Sequence, residues 1–201
     1  MPDNNTAYLE KRLRFKKPTR QGDYRESPYQ PSSLQTAELI KYNASDEGIK
    51  NPVDPRIVER GLSLDVAKKV QQAIDKVSDM EHKSDIQSLN NASDKRLEVD
   101  VALFFGPALT GFNRITQNPA GEIDVETDHF MVEATSGKKG KAKQMAKYSE
   151  INANEGGNKK RILFAPNYRT RKACQEVEET GATIARNFAE LGHIVKKTLK
   201  P

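Results

Sequence analysis

The segment GEIDVETDHFMVEAT, residues 121–135, gathers five carboxylates and no Lys or Arg in a chain whose net charge is +5. Its first half alternates as a strand does, with Ile123 and Val125 on one face and Glu122, Asp124 and Glu126 on the other. Its second half puts Phe130, Val132 and Ala134 on an apolar face opposite Met131, Glu133 and Thr135. A two-residue loop at Asp128-His129 joins the halves into a hairpin that pairs Thr127 with Phe130 and, counting outward, Asp124 with Glu133. Directly opposed residues of an antiparallel pair point to the same side with Cβ atoms about 5 Å apart, so these two acids meet on the polar face.

Two ionised carboxylates at that spacing repel, and the site calls for a bound cation, a shared proton or a nearby lysine unless water screens it. Mg²⁺ is commonly held by one or two carboxylates with water and substrate phosphate, and Asp124 and Glu133 suit that role. An ordinary hairpin whose acidic face meets solvent satisfies the same pattern.

Beyond the hairpin come Thr135-Ser136-Gly137 and the lysine-rich KKGKAKQMAKYSE, whose helical spacing aligns Lys141, Gln144 and Tyr148. KKRILFAP then supplies a short strand ended by Pro166, and Thr170 caps one long final helix with Ala173, Val177, Ile184, Phe188 and Leu191 inward. Upstream, SLDVAKKVQQAIDKVSDM opens on a cap at Ser63 and repeats Val66, Val70, Ile74 and Val77 at helical spacing. After a break around SLNNASD, Ser93 or Asp94 caps a second helix through KRLEVDVALFF, which Gly106-Pro107 stops. Residues 1–57, with prolines at 2, 18, 28, 31, 52 and 55 and little apolar periodicity, read as irregular or extended. The expected organisation is therefore an irregular segment 1–57, a helical appendage 58–90 and a compact α/β domain 91–201.

Composition narrows the function classes. Hydrophobic residues make up 35% and charged residues 30% of the 201, which predicts a modest core. No apolar run is long enough to span a bilayer, and the start MPDNNTAYLEKR lacks a signal-peptide pattern, so a soluble chain acting in the cytoplasm is expected. Cys174 is the single cysteine, expected as a buried helix residue, and His82, His129 and His193 are scattered, so neither a disulfide framework nor a zinc site has support. From Lys138 onward there are 15 Lys and Arg against 6 Asp and Glu. That imbalance fits a polyanionic partner, nucleic acid foremost, and equally a solvated lysine-rich face.

Taken together, the segments resemble the PD-(D/E)XK nuclease superfamily in its RecB-like form, whose core runs helix, three strands, helix, strand. The resemblance covers about residues 93–168 and rests on Glu98 in RLEVDVALFF, Asp124 in GEIDVET, Glu133 in MVEAT, and Gln144 and Tyr148 in QMAKY, the Gln-x-x-x-Tyr element. It implies a metal-dependent nuclease in which Asp124 and Glu133, with Glu98, hold Mg²⁺ or Mn²⁺. Thr135 stands where the family has its lysine, and Lys138, Lys139 and Lys141 are replacements, with Lys138 preferred. Lys139, Lys141, Gln144, Lys147 and Tyr148 are expected to contact nucleic acid, as are Lys159, Lys160 and Arg161, with orientation of the site the alternative for Gln144 and Tyr148 and a core position an equal reading for Tyr148.

The layout of the chain also resembles the toxin ends of bacterial contact-dependent or polymorphic secreted systems, which implies delivery into a target cell and a cognate immunity protein. The substrate is DNA or tRNA, with DNA favoured. A restriction or repair nuclease, a noncatalytic nucleic-acid-binding module and an interaction protein with an acidic hairpin are the alternatives.

Overall fold

The computed structural model describes residues 23–83 and 85–200. The first 22 residues of the segment expected to be irregular therefore lie outside the described residues. From residue 33 onward that segment is helical: α1 spans Ser33–Asn43, α2 Asp46–Lys50 and α3 Pro55–Arg60. Local capping explains this better than periodicity does. Ser32 and Gln35 form a capping box at α1, Ser45 caps α2, and Asp54 caps α3 ahead of Pro55. Gly61 ends α3 at φ +60, where a Cβ would meet Pro31 at 2.3 Å.

Two long helices follow, α4 over Leu64–Lys83 and α5 over Ile86–Phe105. The second begins well before Ser93 or Asp94. Asp85 is its cap, accepting the Ser88 N–H at 2.8 Å, and the polar SLNNASD run belongs to the same helix, burying Ala92 ahead of the wholly buried VALFF turn. Gly106 stops α5 as expected. Arg60, 3% exposed, donates to the Leu103 carbonyl at 2.9 Å and the Tyr29 carbonyl at 2.7 Å, so it satisfies the end of α5 and ties the N-terminal helices to it. One buried cluster runs from Leu39 through Val70 and Phe104 to Val195, so residues on both sides of position 90 share one core.

The remainder is a mixed five-stranded sheet in the order β1-β2-β3-β4-β5, with β1 Leu109–Gln117, β2 Ala120–Thr127, β3 Phe130–Ala134, β4 Lys160–Phe164 and β5 Thr183–Ala185. Strand β1, for which the residue pattern had suggested no element, pairs antiparallel with β2. The β2–β3 hairpin has the expected register, Val125 opposite Val132 and Glu126 opposite Met131, and Thr127 Oγ1 closes the turn by accepting from Phe130 N at 2.9 Å. Strands β3, β4 and β5 run parallel, connected by α6, Ala142–Asn154, and α7, Arg171–Glu178. The last helix, α8, is Phe188–Leu199. The single long C-terminal helix is thus three elements, because Gly181 at φ +79 breaks the pattern and Thr183–Ala185 joins the edge of β4.

Helices cover both faces. Phe130, Val132 and Ala134 pack with Phe104, Phe164 and Phe188, while Met131 joins Met145, Tyr148 and Leu163 under α6. Ile123 packs with Met131 rather than with Val125, against simple alternation. The ladders are interrupted here: no pairing joins Asp124 to Asn113, whose φ is +49, and the β2–β3 pairing stops at Val125. Among the described residues no helix is long and apolar enough to cross a membrane.

Candidate active site

The interruption at Asp124 is where the acids converge. In place of a further ladder bond, the Ala134 N–H donates to Asp124 Oδ2 at 2.8 Å, which leaves Oδ1 for a ligand. Glu133, 4% exposed, is held on both oxygens: Oε1 accepts from Lys141 Nζ at 2.5 Å and Oε2 from the Tyr148 hydroxyl at 2.9 Å. The same hydroxyl accepts the Asp124 N–H at 3.1 Å, so one phenol joins both acidic residues. Helix α6 makes this possible because Lys141, at its cap, and Tyr148 share a face toward the sheet.

Burial pushes the Asp124 carboxyl well above the usual carboxylate range, and the charges of Glu133 and Glu98 push it further. Lys141 and the Ala134 N–H oppose that shift without cancelling it. Burial works against the Lys141 ammonium, yet Glu133 and Asp124 outweigh it and hold the pKa above the usual lysine value. Tyr148 is fully buried, and desolvation together with Asp124 and Glu133 raises its pKa, which keeps the phenol protonated as a donor.

Glu98 approaches from α5 and is also buried, its carboxyl raised mainly by desolvation. Lys95, one turn earlier, pairs with it. Asn113, with its amide nitrogen toward Glu98, donates to Glu98 Oε2 at 3.1 Å and accepts from Lys95 Nζ at 3.0 Å. Asp94 accepts the Ser136 N–H at 2.6 Å, which fixes the chain leaving β3 against α5. Thr135 is buried and accepts the Gly137 N–H at 3.1 Å, so its hydroxyl shapes a turn.

The structure places Lys141 on the carboxylates and leaves Lys138 and Lys139 exposed on the loop. Gly140, at φ +86, separates those two lysines from the helix that aims Lys141 inward. Several expected nucleic-acid contacts are committed to the protein itself. Tyr148 is buried; the Gln144 amide donates to the Glu122 carbonyl at 3.2 Å and Lys147 to the Ala120 carbonyl at 2.8 Å. Lys159 donates to Glu126 at 2.8 Å and Arg161 to the Thr180 carbonyl at 2.8 Å. Glu126 belongs to this separate network, where Arg114 and Lys159 keep its carboxyl below the usual range despite burial. Cys174 is half-buried, with its Sγ 3.6 Å from the Tyr168 carbonyl.

Among the described residues no group of three or more His, Cys, Asp and Glu side chains converges as a metal cage. A cation here would have carboxylate oxygens of Asp124 and Glu133 as its protein ligands. That donor set suits a hard ion such as Mg²⁺ or Mn²⁺ that keeps water and phosphate in its shell, and the unfavourable ionisation of Asp124 is the electrostatic fit such an ion relieves.

Sequence patterning missed Lys95 and Asn113, and read Asp94 as a helix cap where it instead accepts the Ser136 N–H. Lys95 and Glu98 are one helical turn apart, a visible signal; the φ of Asn113 left none. The fold and site define an α/β protein with a buried two-carboxylate, one-lysine centre beside a mixed five-stranded sheet. Comparison of the chain with protein-family models, with curated proteins and with solved structures gives no match in any of the three.

Proposed function

We propose that the protein is a metal-dependent nuclease of the PD-(D/E)XK kind, hydrolysing phosphodiester bonds. The observation that carries this reading is the Lys141 ammonium on Glu133 beside the buried Asp124, at adjacent strands of the hairpin. The element order supports it: α5 with Glu98, then β1, β2 with Asp124, β3 with Glu133, then α6 and β4. That is the helix, three strands, helix and strand expected from the resemblance.

Asp124 and Glu133 would hold a divalent ion, and such an ion would supply positive charge against a phosphate oxygen and a lowered pKa for bound water. The chain's own groups do the rest. Lys141, kept charged by its two acids, faces the charge that builds on the phosphate in the transition state. Tyr148 fixes the Glu133 carboxylate and the Asp124 backbone in one geometry, so little reorganisation remains when substrate arrives. Lys95 and Asn113 orient Glu98 at the edge of the site.

Incubation with plasmid DNA and with total tRNA, each with Mg²⁺, with Mn²⁺ and with chelator, tests the proposal. Cleavage of DNA that chelator abolishes is the expected result. Metal-dependent cleavage of tRNA alone keeps the chemistry and changes the substrate. Binding without cleavage of either under all three conditions overturns the nuclease reading in favour of a noncatalytic binding module.

A further inference from the structure

Residues 134–149 and residues 156–175 are rich in Lys and Arg and contain no acid. The first holds Lys138, Lys139, Lys141, Lys143 and Lys147, and the second Lys159, Lys160, Arg161, Arg169, Arg171 and Lys172. The structure sorts ten of these eleven cations into two groups, and Lys160, half-buried on β4, belongs to neither. Lys141, Lys147, Lys159 and Arg161 donate to protein acceptors. Lys138, Lys139, Lys143, Arg169, Arg171 and Lys172 are exposed and, among the described residues, their side chains make no hydrogen bond or ion pair.

Those six lie on the two connections that leave the carboxyl ends of β3 and β4, or in the first turn of the helix that follows. Because β3 and β4 are parallel, both connections emerge at the same end of the sheet, where α/β proteins bind ligands. Three bonds fasten them to each other and to the carboxylate site. Asn167 Nδ2 donates to the Ser136 carbonyl at 3.0 Å, the Lys141 N–H donates to the Tyr168 hydroxyl at 3.3 Å, and Ser136 N–H is anchored on Asp94. Lys141 thus belongs to the fastened frame through its backbone and to the acid pair through its side chain.

Uncompensated cations this close in sequence repel one another, and Arg171 and Lys172 also sit in the first turn of α7, where the helix dipole disfavours positive charge. No hydrogen bond or ion pair among the described residues offsets that repulsion, and a bound polyanion would relieve it. We infer that the β3–α6 and β4–α7 connections form one cationic platform that grips the sugar-phosphate backbone beside the carboxylate centre. This rests on the nuclease reading for the position of the scissile phosphate, but not for the binding itself. The platform holds backbone phosphates and not bases, since Lys and Arg heads without neighbouring exposed aromatics favour phosphate contact.

The test measures binding of a fluorescent DNA duplex and of total tRNA by the full chain in chelator across a salt series, with Mg²⁺ cleavage assayed alongside. The variant R169A/R171A/K172A should weaken binding at low salt by tenfold or more and reduce the slope of log K against log salt by about 0.9 for each phosphate it no longer neutralises. A second variant, K138A/K139A, should do the same with a smaller slope change. The control K196A/K197A lies in the last turn of α8, outside both connections, and should bind as wild type. All substituted side chains are exposed, and thermal unfolding checks that each variant folds. Wild-type affinity and slope in both loop variants, or no binding of either nucleic acid, overturns the platform. Platform-dependent binding without metal-dependent cleavage retains the platform and removes the nuclease reading; cleavage with unaltered binding in the loop variants does the reverse.

Discussion

Lys141 Nζ lies 2.5 Å from Glu133 Oε1, eight residues along the chain, and the pair is the only cation contact to either of the two central acids among the described residues. The position two residues after Glu133 is instead Thr135, which turns the chain. The cation has come from the helix that covers the strand rather than from the strand itself.

Lys141→Ala should therefore lower the single-turnover cleavage rate by about 10² or more while leaving the dissociation constant within a few-fold, because the lost charge acts mainly in the transition state. Lys138→Ala should instead weaken binding and its salt dependence. A full single-turnover rate in Lys141→Ala on saturating substrate would remove this lysine from the chemistry.

Tyr148→Phe deletes one oxygen from a buried position and breaks two bonds, to Glu133 Oε2 and from the Asp124 N–H. Leaving buried polar groups without a partner costs about 1–3 kcal/mol. Lower thermal stability and slower cleavage should appear together, with the isolated Gln144→Ala change far milder since its amide meets only a carbonyl at the surface. Unchanged stability in Tyr148→Phe would mean that water replaces the hydroxyl and that the phenol does not organise the site.

Much of this was legible in the residues, and the gaps have specific causes. The hairpin register followed from alternation about Asp128-His129, so the proximity of Asp124 and Glu133 followed too. The alignment of Lys141 with Tyr148 was also visible as helical spacing, but Gly137 and Gly140 leave the backbone around the preceding lysines free, and Lys138 was preferred. What decides between them is where α6 starts, and helix boundaries are weakly encoded. Helices α1 to α3 escaped because proline density masked three capped starts, at Ser32, Ser45 and Asp54. The C-terminal helix was overextended because TIA is apolar at helical spacing with its neighbours, and only pairing with β4 makes it a strand.

Asp100, on α5, offers a test of burial away from the site. Desolvation lifts its carboxyl to about 6, against the opposing charges of Arg56 and Arg96 and with a small push from Asp23. A folded pKa above the unfolded value means that the folded state binds the proton more tightly, so stability falls as pH rises from about 4 to about 6 and stays reduced above. Asp100→Asn should thus stabilise the protein at pH 8 by on the order of 2 to 3 kcal/mol and change little at pH 4. Denaturant midpoints at the two pH values read this directly; equal effects at both would show that the carboxyl ionises without penalty.

Asp124 carries the same sign with a different consequence. Burial and the neighbouring charges of Glu133 and Glu98 raise its folded pKa, so its contribution to stability is greatest at low pH and is lost as pH climbs through the interval between the unfolded and folded values. At neutral pH, Asp124→Asn removes that burden while keeping the side chain's shape and its acceptor for the Ala134 N–H. The variant should unfold at a higher temperature than wild type in chelator, yet cleave nothing. Addition of Mg²⁺ or Mn²⁺ should raise the wild-type unfolding temperature, by about 2–4 °C for each kcal/mol of linked binding, and leave Asp124→Asn unmoved. Differential scanning calorimetry of both proteins, with and without the ion, separates the two effects. An ion that stabilises wild type and variant equally is bound elsewhere, and a variant less stable than wild type would mean that Asp124 is held ionised by its own surroundings and has no need of a cation.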